Sequence, residues 1–209
     1  MDAESENSLT IRESDLYPWV RKFIKNKFKC FNKKLGEVGK EGIGYVDVFG
    51  VYYKDSKNTE IETVGVEVKP KKRRTAAEFG QAKGYSVFCH KVYFASMDRF
   101  DEIDKRIAKH LGIGLIEITK NASRFYCRIV CEPKPKNPVP ELLEEILKRI
   151  KILRCDNCRR IGQREYTRTK YGIDKISKWT KDQIKKGKDL LTSKNFYCNA
   201  CAKRLLQIE

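Results

Sequence analysis

The spacing of apolar residues predicts an amphipathic helix over residues 15–28. From Leu16 to Phe28 every fourth residue is apolar, and positions with this spacing lie on one face of a helix. Pro18 fits such a helix because proline is tolerated in the first turn, where its missing amide proton has no partner to lose. The four glycines between residues 36 and 44 predict a flexible connection after this helix.

Two β-strands are predicted next, over residues 45–53 and 61–69, because β-branched and aromatic residues dominate both runs and a polar turn separates them. Thr75 and Glu78 have the spacing of a capping box, which predicts that a helix begins at Thr75. The remaining patterns predict a strand over residues 91–95, a helix over 100–111, and two strands over 114–119 and 124–131.

The pattern changes after residue 131. Residues 132–140 hold four prolines and are predicted to form a semi-rigid linker, followed by a helix over 141–153. The rest of the chain contains two pairs of cysteines. We therefore expect three parts: a domain over 1–131, the linker and helix over 132–153, and a basic cysteine-containing module over 154–209.

The charge of the chain indicates a polyanionic partner. The formal net charge is +17, and residues 132–209 contribute +10 of it, with 20 Lys and Arg against 10 Asp and Glu. Lysine and arginine gain affinity for nucleic acids by displacing the counterions of phosphates. A lysine-rich surface that is merely solvated is the alternative, and nucleic acid is the favoured interpretation.

A cytoplasmic location is expected, with no membrane partner. No apolar run approaches the roughly 20 residues that span a bilayer, and the polar, acidic N-terminus is unlike a secretory signal. In that compartment the eight cysteines argue against a disulfide framework.

Four cysteines form two clips near the C-terminus, Cys155-x-x-Cys158 and Cys198-x-x-Cys201. Four thiolates in this arrangement suit a tetrahedral Zn²⁺ ion, and with no ligand position left open the site would be structural. The 39 residues between the clips exceed the spacer of compact zinc modules, so the insert needs structure of its own. Disulfides are the alternative that the compartment disfavours.

Three charged residues lie in or beside the two predicted strands. Side chains alternate along a strand, so Glu67 and Lys69 share one face while the valines around them share the other. Asp47 lies in an otherwise apolar stretch, where a lone carboxylate is costly unless it is paired or binds a cation. If the strands are antiparallel neighbours, Asp47 can approach Glu67 and share a metal ion with it.

Such a site has the parts that phosphodiester hydrolysis needs. Oxygen ligands hold Mg²⁺ or Mn²⁺, and the cation stabilises charge on the phosphate and acidifies a bound water. A nearby lysine can orient that water or offset developing negative charge. The alternative is a solvated strand face, which is common for a Glu-x-Lys pair in a chain this charged.

Asp47 followed by Glu67-x-Lys69 on the next strand resembles the PD-(D/E)xK nuclease superfamily, over roughly residues 11–131. The resemblance implies an α/β, restriction-endonuclease-like fold with an αβββαβ core, whose first core strand would lie near residues 29–35. It implies that Asp47 and Glu67 bind Mg²⁺ and that Lys69 assists the attacking water. Val46 precedes the aspartate where the family name has proline, a position at which family members vary.

Two further features match subgroups of that family. Glu13 resembles the helix-borne acid that adds a metal contact in some members, although favourable charge at a helix N-terminus would also explain it. Gln81-x-x-x-Tyr85 resembles the QxxxY motif of recombination-type nucleases, and residues four apart share a helix face. The alternatives are an exposed polar residue for Gln81 and a core aromatic for Tyr85.

Basic residues beside both regions are predicted to contact nucleic acid, because cations hold phosphates while neighbouring tyrosines can stack on bases. A solvated charged face is again the alternative. The residues are Lys71, Lys72, Arg73 and Arg74 after the second strand, and Arg159, Arg160, Arg164, Arg168 and Lys170 in the cysteine module.

The sequence thus predicts a metal-dependent endo- or exonuclease acting on nucleic acid, most naturally DNA, with a zinc-bound basic module that holds the substrate. Nucleases of this fold often dimerise to cut two strands, so a homodimer is one expected assembly, although no interface is evident. Two other functions fit the same features: a non-catalytic nucleic-acid-binding protein, and a docking module within a larger complex.

Overall fold

The computed structural model describes residues 11–71, 76–163 and 201. Its fold is mixed α/β, with one five-stranded sheet between helices and two small two-stranded sheets. None of its described helices is both long enough and apolar enough to cross a membrane. The helices are α1 (Glu13–Phe28), α2 (Ala76–Gly84, continued by a 3₁₀ turn over Tyr85–Val87), α3 (Glu102–Leu111) and α4 (Pro140–Arg149).

The five-stranded sheet has the order β3-β4-β5-β6-β7. Antiparallel pairs lie at its two edges and parallel pairs at its centre, where helices cross over between strands. The strands are β1 (Val38–Lys40), β2 (Gly44–Val46), β3 (Val48–Tyr53), β4 (Ile61–Lys69), β5 (Lys91–Ser96), β6 (Gly114–Asn121), β7 (Arg124–Cys131), β8 (Ile152–Arg154) and β9 (Ile161–Gln163).

Helix α1 covers one face of the sheet. Leu16, Val20 and Ile24 are fully buried there, as the spacing of four predicts. The valines of β4 point toward this helix: Val64, Val66 and Val68 belong to the same core cluster. Residues 65, 67 and 69 therefore point to the opposite face.

The opposite face packs against α2, α3 and α4. Phe79 of α2 stacks on Phe94 of β5 with ring centroids 5.3 Å apart, and Phe100 meets the edge of the same ring. Ile146 of α4 and Ile152 of β8 join this core cluster. The residues before α4 are also held to the domain, since the Lys136 and Val139 amides donate to backbone carbonyls of residues 90 and 87.

The predicted first core strand near residues 29–35 is wrong. That segment runs beside β3 but forms no strand: one backbone hydrogen bond joins the Phe31 amide to the Val51 carbonyl at 2.9 Å, and the Asn32 side chain makes the other contacts. Its amide donates to the Phe49 carbonyl at 3.0 Å, and its oxygen accepts from the Val51 amide at 2.8 Å. The first strand of the structure is instead β1, within the segment predicted to be a flexible connection.

Residues 36–44 are ordered as half of a hairpin. β1 pairs antiparallel with β2, with Val38 opposite Val46. Gly42 and Gly44 have φ values of +81° and +112°, which let the chain reverse where other residues would be strained. The strand predicted over 45–53 is consequently divided in two, and Asp47 lies at the division between β2 and β3.

The other predicted helix boundaries lie closer to those of the structure. α1 begins at Glu13 rather than residue 15, and α3 begins after Asp101, whose carboxylate accepts from the Asp104 amide. The helix predicted over 141–153 ends at Arg149, because residues 152–154 pair with residues 161–163 as β8 and β9. The capping box predicted at Thr75 lies outside the described residues.

Gly50 of β3 offers a test of this packing. A β-carbon at this position would lie 2.6 Å from the Cys30 sulfur and 2.9 Å from a Val64 methyl carbon, so neighbouring side chains would have to move. We expect Gly50→Ala to lower the free energy of unfolding by about 1–3 kcal/mol in urea denaturation.

The control is Gly80→Ala, since a β-carbon at Gly80 of α2 meets nothing within 4 Å. Alanine in a helix interior is favoured over glycine by about 0.5–1 kcal/mol, so the control should unfold at a higher urea concentration. Equal stability of the two variants would contradict the packing described here.

Candidate active site and cysteine cluster

Asp47 lies where the β3–β4 ladder stops. Backbone pairing begins with Val48 opposite Val66, and beyond it the chain turns away to form β2. The Asp47 side chain takes over at this point: its Oδ2 accepts from the Val68 amide at 2.7 Å. The carboxylate is therefore fixed against β4, as the predicted antiparallel pairing required.

A tyrosine of α1 holds the second carboxylate oxygen of Asp47. The Tyr17 hydroxyl donates to Asp47 Oδ1 at 2.8 Å. Sequence reasoning missed Tyr17, although one signal was present. It lies four residues after Glu13, so the two share a helix face.

Glu67 is the most buried acid of the site, with 1% of its surface exposed. Its Oε2 lies 2.7 Å from the Tyr85 hydroxyl. Its Oε1 lies 2.9 Å from the Lys69 ammonium, at an angle too poor for a well-directed hydrogen bond. This oxygen is therefore held mainly by charge.

Lys69 joins the acids into one cluster. Its ammonium lies 2.9 Å from Glu67 and 3.1 Å from Glu13, the first residue of α1. Three carboxylates and one ammonium carry a net charge of −2 when Glu13, Asp47, Glu67 and Lys69 are all ionised. A single divalent cation would neutralise that charge.

Gln81 and Tyr85 lie beside Glu67, as predicted from their spacing. The Gln81 amide donates to the Tyr85 hydroxyl at 3.0 Å. That hydroxyl has one proton, yet two acceptors lie within reach: the Tyr45 carbonyl at 2.8 Å and Glu67. Either the two acceptors share the tyrosine proton, or Glu67 carries a proton of its own that it donates to the tyrosine oxygen.

The environment favours protons on both acids. Burial raises the pKa of Asp47 above its ordinary value, against the lowering effect of its hydrogen bonds to Val68 and Tyr17. Burial also raises the pKa of Glu67, and the negative charge of Asp47 adds to this effect. Two buried carboxyls with raised pKa values have a strong electrostatic reason to bind a cation.

The pKa of Lys69 is also raised, which for an amine favours the charged form. Burial disfavours its ammonium, but the close carboxylates of Glu67 and Glu13 outweigh burial and raise its pKa. Lys69 therefore stays protonated at neutral pH. It can offset negative charge or orient a water molecule.

The structure thus gathers the predicted site residues at one end of β4. They are Glu13, Asp47, Glu67, Lys69, Gln81 and Tyr85. The three acids do not bring their oxygens within 4.8 Å of one another, a condition that in the described part of the chain only a cysteine group meets. A cation here would keep several water ligands, which is the usual habit of Mg²⁺.

The cysteine group consists of Cys155, Cys158 and Cys201, whose sulfur atoms all lie within 4.8 Å of one another. Residues 155–160 form a tight turn, in which the Cys155 amide donates to the Arg160 carbonyl at 2.7 Å. Three converging thiols after β8 can hold a metal ion. Cys198, the fourth predicted ligand, lies outside the described residues.

The predicted nucleic-acid contacts divide into two groups. Lys71, Arg159 and Arg160 are exposed on the surface. The others lie outside the described residues: Lys72, Arg73, Arg74, Arg164, Arg168 and Lys170.

Comparison with known proteins adds little to this geometry. No protein-family model matches the chain, and no curated protein is similar enough to match. Among solved structures, a protein of unknown function from Silicibacter pomeroyi is similar at 17% identity, with a TM-score of 0.42, over 67% of this chain and 84% of its own. A superposition this loose carries no argument about fold or function.

The raised pKa values predict a pH-dependent stability. The folded chain holds protons that the unfolded chain releases, so the stabilising contribution of these carboxyls is full below about pH 4 and is lost as the pH rises through their folded pKa values. Asp47→Asn keeps an acceptor for the Val68 amide but removes the charge. We expect this variant to melt about 2–4 °C above the wild-type chain at about pH 8, the shift that roughly 1 kcal/mol gives at this size.

The advantage of Asp47→Asn should vanish near about pH 4, where the wild-type carboxyl is protonated. Asp47→Ala is the control, because it leaves the buried Val68 amide without an acceptor and should melt below the wild-type chain at both pH values. Melting followed by circular dichroism measures all three. An Asp47→Asn variant that melts lower at alkaline pH would contradict the description of the site.

Proposed function

We propose that the chain is a metal-dependent nuclease of the PD-(D/E)xK type that hydrolyses phosphodiester bonds, with DNA as its substrate. The observation that carries the proposal is the pair Asp47 and Glu67: two buried carboxyls with raised pKa values and a protonated lysine beside them. A fold gains nothing in stability from holding such a pair empty, whereas a bound cation turns the repulsion into attraction.

Each side chain has a defined task in this proposal. Asp47 and Glu67 bind Mg²⁺ or Mn²⁺, which supplies Lewis acidity at the scissile phosphate. Lys69 remains protonated and offsets the charge that develops there. Glu13 holds Lys69 in place, and its carboxylate is near enough to the cluster to reach a metal-bound water.

Gln81, Tyr85 and Tyr17 position the acids. Tyr85 and Gln81 form a hydrogen-bonded chain to Glu67, and Tyr17 fixes the free oxygen of Asp47. Hydrogen bonds of this kind orient metal ligands and adjust their basicity.

The arrangement of the elements supports the finer fold assignment. Helix α1, four strands, helix α2 and strand β5 follow one another in an order similar to that of the αβββαβ core, which has three strands where this chain has β1 to β4. We infer that β4 is the strand that bears the Glu-x-Lys motif, with Asp47 at the end of its antiparallel neighbour.

The cysteine module has a structural task. We propose that Cys155, Cys158 and Cys201, with Cys198 as the fourth ligand, hold a structural Zn²⁺ ion. The ion would stabilise a turn that presents Arg159 and Arg160 to nucleic acid. The net charge of +17 supports such a partner.

Cleavage of labelled DNA tests the proposed function. With Mg²⁺ added, the wild-type chain should cut at least one substrate among duplex, single-stranded, branched and RNA molecules. Asp47→Asn and Glu67→Gln should each lower the rate on the order of 100-fold or more, because the cation loses a ligand. Both variants should still bind the substrate in a gel-shift measurement.

Glu62→Gln is the matched control. Glu62 lies at the other end of β4, and it too accepts from a tyrosine, Tyr52, and pairs with a lysine, Lys91. Its loss should leave the cleavage rate unchanged. Binding without cleavage by the wild-type chain on every substrate would instead favour a non-catalytic nucleic-acid-binding protein.

Metal analysis tests the cysteine site. The purified chain should contain about one Zn²⁺ ion, and Cys155→Ser should lower the zinc content to background because the tetrahedral set loses a thiolate. Cys127→Ser is the control, since Cys127 lies half-buried on β7, outside the cluster. Retention of zinc by Cys155→Ser would rule this site out.

A further inference from the structure

The catalytic candidates share a sheet face with residues of β7, the strand at the opposite edge from β3. Lys69 is paired with Ser96 of β5, and Ser96 is paired with Glu117 of β6. Glu117 is in turn paired with Arg128. Directly paired residues point to the same face, so Arg128 lies on the face of Lys69, three strand spacings or about 14 Å away.

β7 presents an alternating basic and aromatic row on that face. Arg124, Tyr126 and Arg128 point one way, while Phe125 points the other way and packs against Trp19 of α1 with ring centroids 6.0 Å apart. The outward row is open to solvent: Tyr126 is 53% exposed, and the Arg128 side chain is 76% exposed.

The cations of this row keep most of their donors available. Arg124 forms no ion pair with any residue that the structure describes. Arg128 uses one nitrogen, at 2.7 Å from Glu117 Oε2, and a guanidinium has five N–H donors. The contact therefore fixes the direction of Arg128 without consuming its ability to bind phosphate.

A third arginine, Arg99, lies near enough to Glu117 to affect its charge. Burial alone would raise the pKa of Glu117, but Arg128, the Phe100 amide and Arg99 together lower it. Arg99 is exposed in the loop that follows β5, so its charge adds to the same surface.

The chemistry of the row is that of a stacking platform. An exposed tyrosine offers a flat face to a base, and arginines on either side can hold the phosphates that flank that base. Bases within a duplex already stack on their neighbours, so only an unpaired base can use the Tyr126 ring. The row consequently selects single-stranded nucleic acid.

We propose that Arg124, Tyr126 and Arg128, at the exposed edge of the sheet, bind a single-stranded stretch of the nucleic acid whose cleavage is proposed for Asp47 and Glu67. This inference rests on the proposed nuclease function and names the substrate class of that site. It adds a surface on the nuclease domain itself, separate from the basic residues near the cysteines.

Binding measured without added divalent cations separates recognition from cleavage. Fluorescence anisotropy of a labelled oligothymidylate and of a blunt duplex gives the two affinities. Tyr126→Ala should weaken binding of the single strand by about 5- to 150-fold, the range that one stacked base gives, and leave duplex binding unchanged. Tyr126→Phe keeps the ring and should bind like the wild-type chain.

The arginines are tested by salt dependence. Replacing Arg124 and Arg128 together by glutamine should make the slope of log affinity against log salt shallower by about 1.4, since each phosphate contact to a single strand contributes about 0.7. Lys22→Gln is the control, because Lys22 is exposed on α1, across the sheet from the row. Its slope should match that of the wild-type chain.

Two results would overturn the proposal. One is an unchanged affinity of Tyr126→Ala for the single strand, and the other is an equal loss for single strand and duplex. Cleavage with Mg²⁺, assayed separately, distinguishes this proposal from the nuclease assignment. Loss of binding in Tyr126→Ala, without cleavage by any form, supports the surface and removes the enzyme; cleavage with normal binding by Tyr126→Ala removes the surface and keeps the enzyme.

Discussion

The hydrogen bond from the Val68 amide to Asp47 is the constraint on which the candidate site depends. It forms where the β3–β4 ladder ends, so a side chain supplies the acceptor that the next strand residue would otherwise have supplied. This single contact lets β2 leave the main sheet while keeping Asp47 beside Glu67. An acidic residue at the break serves the fold and the chemistry together, because its second oxygen stays available for the Tyr17 hydroxyl.

The cost of this arrangement is electrostatic. Two acids are removed from water, and within the described part of the chain Lys69 is the one lysine paired with this cluster. Burial consequently raises the pKa of both carboxyls, and the Tyr85 hydroxyl lies within hydrogen-bonding distance of Glu67. A divalent cation at such a site would compete with protons for the two carboxyls, so metal binding and protonation would be linked.

Strand alternation was enough to predict that Glu67 and Lys69 face the same side, and the helical spacing of four was enough for Gln81 and Tyr85. Both are local regularities of the backbone. The break at Asp47 could not be predicted, because it results from the β1–β2 hairpin competing for the same residues. The missing strand near residues 29–35 has a similar origin, since Asn32 satisfies backbone groups of β3 that lie 17 and 19 positions away.

Long-range strand pairing also limited what could be predicted about other parts of the fold. No local pattern indicated that β8 would pair with β9 and end α4 at Arg149. Nor did one indicate that β7 would align its arginines with Lys69 across β5 and β6. Two cysteine clips predicted a shared metal site, and Cys201 does lie with Cys155 and Cys158. Spacing revealed the clip pattern, whereas only the folded chain shows the three sulfurs converging.

Calorimetric titration of Mn²⁺ into the purified chain, in two buffers of different ionisation enthalpy, tests directly whether Asp47 and Glu67 bind a cation. We expect one Mn²⁺ per chain, bound with a release of protons that grows as the pH is lowered toward the raised pKa values of the two carboxyls. Glu67→Gln should abolish this binding and Glu62→Gln should preserve it. Absence of binding by the wild-type chain, or binding that persists unchanged in Glu67→Gln, would contradict a cation shared by Asp47 and Glu67.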